Sequence, residues 1–180
     1  MKKLLSLLVT TLLISACTSP AKVSAPGVVI SCGQTRLLES ADESILMPCL
    51  DGSSEINFHQ IKGPLLINVW GSWCEGCKQE MPYFVELYQS PLFINGQIQM
   101  LGINVEEKSK VDAISYIQKS GMNWPNLEDT SGISKSIFGP GVPVTWFIDE
   151  NGKKIETKIG AYTNKQQLFN QVEKAFGVKL

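Results

Sequence analysis

The chain has 180 residues, of which 43% are hydrophobic and 18% charged, and its formal net charge is −1. This length and composition are typical of one folded domain with a hydrophobic core, not of a disordered chain. No part of the sequence is strongly basic, so we expect no binding to nucleic acid, which requires clustered Lys and Arg. The five cysteines are an odd number, and pairing them in an oxidising compartment leaves one that needs another role.

The N-terminus has the pattern of a secretion signal. Two lysines precede an apolar run over residues 4–14, which is too short to span a bilayer of about 30 Å as a helix. The tetrapeptide ISAC, which ends at Cys17, resembles a bacterial lipobox, in which the cysteine receives a diacylglyceryl group and becomes the first residue. The alternative is an ordinary signal peptide followed by an incidental cysteine.

These signals divide the chain into three parts. We expect a lipoprotein signal peptide over residues 1–16, a lipidated tether over 17–30 and a folded domain over 31–180. The domain would be extracytoplasmic, anchored to the cell membrane by lipid at Cys17, in a compartment where disulfides persist.

The predicted elements begin after an irregular segment, residues 29–63. The apolar run over 65–70 predicts a strand buried on both faces. Apolar residues at helical spacing predict a helix over about 74–89. A second buried strand is predicted over 98–105, and a second helix over 111–119.

The second half of the domain is predicted to end in a hairpin and a helix. Residues 131–138 predict a short helix. Strands are predicted over 144–148 and 154–159, joined by an Asn-Gly step that is a strong hairpin signal. A final amphipathic helix covers 165–176 and ends at Gly177. The order of elements predicts an α/β fold with helices flanking a mixed sheet, parallel units first and an antiparallel hairpin last.

A Cys-x-x-Cys motif lies where the first buried strand passes into the first helix. The sulfur of Cys74, at the helix start, would lie near unsatisfied N–H groups and the positive end of the helix dipole. Both favour the thiolate, which is the attacking species. Cys77 lies one turn deeper on the same side. We therefore expect Cys74 to attack a substrate disulfide and Cys77 to resolve the mixed disulfide.

Other uses of the cysteines are less well supported by their spacing. A zinc site needs four ligands, and the further candidates, Cys32, Cys49 and His59, lack the usual spacing. We expect no metal and no cofactor, and we interpret His59 as a surface residue. A purely structural Cys74–Cys77 disulfide would close too small a ring to add much stability.

Cys32 and Cys49 precede the predicted core. In an oxidising compartment a structural disulfide between them would add roughly 3 kcal/mol in the chain-entropy model, and this is our interpretation. The alternative is a second redox pair that relays electrons to Cys74 and Cys77.

The segment 66–82 (LINVWGSWCEGCKQEMP) resembles the active-site segment of the thioredoxin superfamily, and most of all its membrane-anchored TlpA/ResA/CcmG branch. The resemblance runs from about residue 45 to residue 176 and implies a thioredoxin-like fold. That branch reduces disulfides outside the cytoplasm, commonly for cytochrome c maturation. Asn68 stands where cytoplasmic thioredoxins carry a buried aspartate, as is usual in this branch.

The resemblance implies roles for further residues. Glu80 matches the acid of this branch, and burial would raise its pKa and let it exchange protons with Cys77. The alternative is a helical glutamate that faces solvent. Pro82 matches the proline that kinks the active-site helix. Val142 and Pro143 match the cis-proline loop, in which the Val142 backbone offers an edge to an extended substrate.

Three residues beside the cysteines are predicted to influence docking and reactivity. Trp73 is a candidate docking surface, whereas for Trp70 core packing is an equal alternative. Gly76 stands where most of the family has proline, and glycine loosens the turn. Glu75 places an anion beside Cys74, which disfavours the thiolate and makes the dithiol a better reductant.

The sequence therefore predicts a monomeric protein-disulfide reductase for disulfide-containing exported proteins. By resemblance, apocytochrome c is the expected client and a membrane thiol-disulfide protein the electron donor. The alternatives are an oxidase or isomerase for secreted proteins and a Sco-like copper carrier, although Sco proteins use a wider cysteine spacing and a distant histidine. A peroxidase is disfavoured, because such sites have a Thr-x-x-Cys context.

Overall fold

The computed structural model describes residues 25–180. The predicted signal peptide (1–16) and the first part of the tether, with Cys17, lie outside the described residues. Within the described part of the chain, no helix is long and apolar enough to cross a membrane.

The strands form two sheets. Near the N-terminus, β1 (Leu46–Pro48) pairs antiparallel with β2 (Glu55–Asn57). The main sheet consists of β3 (Leu65–Trp70), β4 (Gln99–Val105), β5 (Asn126–Asp129), β6 (Val144–Ile148) and β7 (Lys154–Ile159). Their order across the main sheet is β5-β4-β3-β6-β7.

The main sheet is mixed, with β3 at its centre. β3 is parallel to β4 and antiparallel to β6, while β4 is parallel to β5 and β6 forms an antiparallel hairpin with β7. This confirms the predicted α/β fold, with parallel units first and the hairpin last.

Helices flank the main sheet. The α-helices of the described residues are α1 (Glu75–Tyr88), α2 (Pro91–Ile94), α3 (Lys110–Ser120), α4 (Ser134–Phe138) and α5 (Lys165–Phe176), and short 3-10 helices cover Cys32–Gln34 and Phe58–Gln60. Helix α5 begins after Asn164, whose side chain accepts the Gln167 N–H at 3.1 Å. It ends at Gly177, which has φ 65°, a conformation that favours glycine.

The central strand β3 is buried along its whole length and separates two apolar clusters. Leu66 and Trp70 contribute to the cluster that also contains residues of α1, α3 and α5. Leu65 and Ile67 contribute to the cluster on the opposite face. Because side chains alternate along a strand, Asn68 lies on the same face as Leu66 and Trp70 and points toward α1.

The structure contains several elements that the sequence pattern does not predict. Strand β5 was not predicted, because Asn126–Asp129 contains one apolar residue, and the segment 29–63 contains β1 and β2, which have three residues each. Pro91, which follows the end of α1, begins the single-turn helix α2. The strands β3, β6 and β7 and the helix α5 have the predicted bounds.

The N-terminal segment covers the β5 edge of the main sheet. Leu50 donates its N–H to Asn126 O at 2.8 Å, and Cys49 forms an isolated antiparallel bridge with Leu127. A disulfide joins Cys49 to Cys32, with the Cα atoms 5.9 Å apart and both residues fully buried. The two cysteines belong to the cluster on the face opposite α1, so the disulfide ties the cover of the edge strand to the core.

Replacing both Cys32 and Cys49 by Ala tests whether this disulfide is structural. We expect the free energy of unfolding in urea to fall by about 3 kcal/mol, because the unfolded chain regains the entropy of an open loop. The rate at which the reduced protein reduces a small aromatic disulfide should not change, because Cys74 and Cys77 belong to the other cluster. A relay role predicts the reverse, a slower reaction with little loss of stability.

Candidate active site

Cys74 and Cys77 lie at the junction between β3 and α1. Cys74 is the N-cap of α1, and its Sγ accepts the Cys77 N–H at 3.1 Å, as a serine or aspartate oxygen does in an ordinary N-cap. The two cysteines form a disulfide, with their Cα atoms 5.3 Å apart. Cys74 is 5% exposed and Cys77 is 0% exposed, so Cys74 presents the sulfur that a partner can reach.

Glu80 lies one turn further along α1 and is fully buried. Its Oε1 accepts a hydrogen bond from Asn68 Nδ2 at 3.2 Å, and its Oε2 accepts the Tyr162 N–H at 2.9 Å. Burial raises the pKa of Glu80 to about 7, although these hydrogen bonds and the charge of Lys158 oppose the shift. Near neutral pH the carboxyl group is therefore able both to accept and to release a proton.

The amide of Asn68 matches both protonation states of Glu80. Its Nδ2 donates to the ionised carboxylate, while its Oδ1 is buried without a hydrogen-bond partner among the described residues. Rotating the amide by half a turn would present Oδ1 as an acceptor to a protonated Glu80. A buried aspartate at this position would instead place a second negative charge beside the first.

The loop after β7 supplies the backbone donor to Glu80. Lys158 donates from Nζ to the carbonyl oxygens of Ile159 at 2.8 Å and Gly160 at 3.0 Å, which holds the loop in a turn. Tyr162 follows this turn and is itself buried. Sequence reasoning missed Tyr162, because a backbone N–H leaves no residue signature. It also missed Lys158, whose Nζ is bonded to backbone carbonyl oxygens that the sequence does not reveal.

The cis-proline loop packs against the N-terminus of α1. The peptide bond between Val142 and Pro143 is cis, and Pro143 O accepts the Gly160 N–H at 2.9 Å. A Cβ atom on Gly76 would lie 3.3 Å from Pro143 Cδ and 3.5 Å from Ala161 Cβ. A side chain at this position would be in tight contact with Pro143 alone, and its contact with Ala161 would be an ordinary one. The cis bond agrees with the expectation from the resemblance.

The two tryptophans near the cysteines differ in exposure. Trp70 is fully buried, and its Nε1 donates to Asn126 Oδ1 at 2.9 Å, so it belongs to the core. Trp73 is 47% exposed, and its Nε1 donates to Val105 O at 3.2 Å. Of these two tryptophans, only Trp73 thus offers an exposed surface beside Cys74.

A shallow, open groove lies beside Trp73. Most of its floor is apolar, and it includes Val69, Val105, Phe138 and Val142. An ion pair between Glu106 and Lys135 lies on its rim. The groove therefore joins two of the residues predicted to dock a substrate, Trp73 and Val142, by an apolar surface.

The remaining predicted site residues lie on α1. Glu75 is exposed in the first turn, and its carboxylate lies 3.8 Å from Lys78 Nζ. Pro82 lies within α1 and has no N–H to donate to the preceding turn. Among residues 25–180, one cluster of three potential metal ligands occurs, Cys32, Cys49 and Asp51, and its two sulfurs are bonded to each other.

This domain matches a known family. The model of the AhpC/TSA family matches residues 43–156, more than half of the chain. The chain belongs to the AhpC/TSA family. The thiol-disulfide oxidoreductase ResA of Geobacillus thermodenitrificans is 32% identical over 102 residues, which are 56% of this chain and 57% of that protein. The chain therefore matches little more than half the length of this relative. The match confirms the resemblance to the TlpA/ResA/CcmG branch.

Solved structures confirm the thioredoxin-like fold. A secreted Mycobacterium tuberculosis disulfide oxidoreductase homologous to E. coli DsbE has a TM-score of 0.62 and 21% identity, covering 74% of this chain and 99% of that one. An exposed lipoprotein thioredoxin of Streptococcus pneumoniae has a TM-score of 0.56 and 22% identity, covering 73% of this chain and 99% of that one.

The pKa of Glu80 predicts how stability depends on pH. The unfolded chain releases the Glu80 proton near pH 4.5, whereas the folded protein keeps it until about pH 7. The free energy of unfolding should therefore fall as pH rises through this window, by about 3 kcal/mol from this group.

The variant Glu80→Gln should lose this fall, because it has no proton to release. The matched control is Glu86→Gln, which removes an exposed carboxylate from the same helix and should keep it. Urea unfolding of the oxidised proteins between pH 4.5 and 8 measures the difference. The same pH dependence in Glu80→Gln and in the unaltered protein would contradict the assignment.

Proposed function

We propose that the protein is a thiol-disulfide oxidoreductase that reduces disulfides of exported proteins. The observation that supports this best is the capping of α1 by Cys74 Sγ, bonded to the deeper Cys77, with the buried Glu80 on the next turn. Two-cysteine exchange needs these parts: an attacking sulfur at a helix N-terminus, a shielded resolving sulfur and a proton acceptor.

The first step consumes the Cys74 thiolate of the reduced protein. Its sulfur attacks one sulfur of the client disulfide, so that a Cys74–client bond forms and the client S–S bond breaks. The second client sulfur leaves as a thiolate and takes a proton. Before the attack, the Cys77 N–H and the helix dipole stabilise the negative charge on Cys74.

The second step releases the client. The Cys77 thiol gives its proton to the Glu80 carboxylate, and its sulfur attacks Cys74 Sγ. The Cys74–client bond breaks, the client leaves with its second thiolate, and the Cys74–Cys77 disulfide is formed. Cys77 and Glu80 are three residues apart on one helix face, where Cβ atoms lie about 5–6 Å apart. Two electrons thus pass from the protein to the client.

The client would dock across the cis-proline loop. An extended segment would lie along the Val142 backbone with an apolar side chain in the groove beside Trp73. Gly76 lies at the helix end next to Pro143, and the anionic Glu75 beside Cys74 favours a reducing dithiol.

The setting of the reaction follows from the N-terminal signals. Cleavage after residue 16 and lipid on Cys17 would hold the domain, residues 31–180, outside the cytoplasm on a tether over 17–30. One structural neighbour is a secreted protein and another is an exposed lipoprotein. A membrane thiol-disulfide donor would return the two electrons, and apocytochrome c is the client that the resemblance implies.

A Cys77→Ser variant of the full chain tests the assigned roles. Without the resolving thiol, mixed disulfides should accumulate on Cys74, and mass spectrometry of the adducts would identify the clients. The matched control is Cys74→Ser, which leaves the fully buried Cys77 as the one cysteine of the motif and should capture almost nothing at this site. Equal capture by both variants, or none by Cys77→Ser, would contradict the proposal.

A further inference from the structure

The carboxylate of Glu107 gathers three hydrogen-bond donors just beyond the end of β4. It accepts the Ser72 N–H and, at 2.7 Å, the Ser72 hydroxyl, while Asn104 Nδ2 donates to it at 2.9 Å. Hydrogen bonds to an ionised acceptor are roughly twice as strong as neutral ones. The carboxylate of Glu107, in the loop after β4, therefore fixes the backbone at Ser72, in the loop before α1.

A rare backbone conformation brings Glu107 to this position. Glu106 has φ 53°, and within residues 25–180 it is the one residue other than glycine with a positive φ. Its side chain is held by an ion pair with Lys135. After this turn Glu107 folds back over Asn104 toward Ser72. Residues in such conformations cluster at functional sites, where the surroundings enforce them.

The residues that Glu107 holds lead directly into the cysteine motif. Ser72 is two residues before Cys74, whose N–H donates to Gly71 O at 3.1 Å. Between them, Trp73 Nε1 donates to Val105 O at 3.2 Å. The end of β4 and the turn after it thus fix two successive residues before Cys74.

We propose that Glu107 is a positioning residue that, by holding the Ser72 amide, keeps Cys74 Sγ at the N-terminus of α1 in the reduced protein. It acts through Ser72 and not on the sulfur itself. The inference rests on the proposed function, because it assigns a further residue to the same reaction.

Three variants in a Cys77→Ser background test the role. Glu107→Ala removes all three hydrogen bonds, whereas Glu107→Gln keeps an oxygen for the Ser72 N–H and removes the charge. The control Glu128→Gln removes the same charge from β5, where Glu128 lies 3.5 Å from Lys110. The readout is the rate at which iodoacetamide alkylates Cys74 at pH 7, followed by mass spectrometry of the Cys74 peptide.

We expect Glu107→Ala to be alkylated about tenfold more slowly, because a displaced sulfur loses the N–H that stabilises its thiolate. The other two variants should stay within about twofold of the Cys77→Ser protein. If Glu107 acted only through its charge, both Glu107 variants would react faster. If it only stabilised the fold, the melting temperature would fall and the rate in the folded protein would not change. Either result would overturn the proposal.

The alkylation needs no client protein. If the unaltered protein reduced no disulfide, the proposed function would be contradicted, but the alkylation rates of the variants would not change. The two failures are therefore distinguishable.

Discussion

The cap that Cys74 Sγ forms on α1 is the interaction on which the site depends, and the topology of the main sheet supports it. Parallel strands β3 and β4 end at the same edge of the sheet, whereas β6, which is antiparallel to β3, begins there. Val144 at the start of β6 pairs with Ile159 at the end of β7, so the loop before Tyr162 reaches the same edge. The cap, the cis-proline loop and the donors to Glu80 therefore meet without a long connection.

The buried carboxylate of Glu80 is costly for the fold, and its properties suit the proposed exchange. An ionised group excluded from water costs free energy unless it is fully compensated, and here two hydrogen bonds leave the pKa at about 7. An apolar residue would cost the fold less at neutral pH. A proton acceptor of this pKa beside a cysteine is instead suited to thiol-disulfide exchange, in which a thiol must lose its proton at each turnover.

The elements predicted correctly are those that local patterns encode. The apolar run of β3 and the Asn-Gly hairpin between β6 and β7 specify their own boundaries. Strand β5 has no such pattern, because Asn126 is held by Trp70 Nε1 and by pairing with β4, which are contacts distant in sequence. The same reason explains which residues near the cysteines could be predicted. The cysteine spacing indicated the chemistry. Glu107 contacts Ser72 because of a backbone turn, and Tyr162 contacts Glu80 through its backbone N–H, and neither feature is visible in the sequence.

The central claim is that the Cys74–Cys77 dithiol is a reductant, and its midpoint potential tests this most directly. The protein would be equilibrated at pH 7 with dithiothreitol or glutathione buffers of known potential, and the fraction of oxidised pair measured by alkylation and mass spectrometry. We expect a value near that of thioredoxin, about −270 mV. A value near that of the strong oxidant DsbA, about −120 mV, would contradict the account.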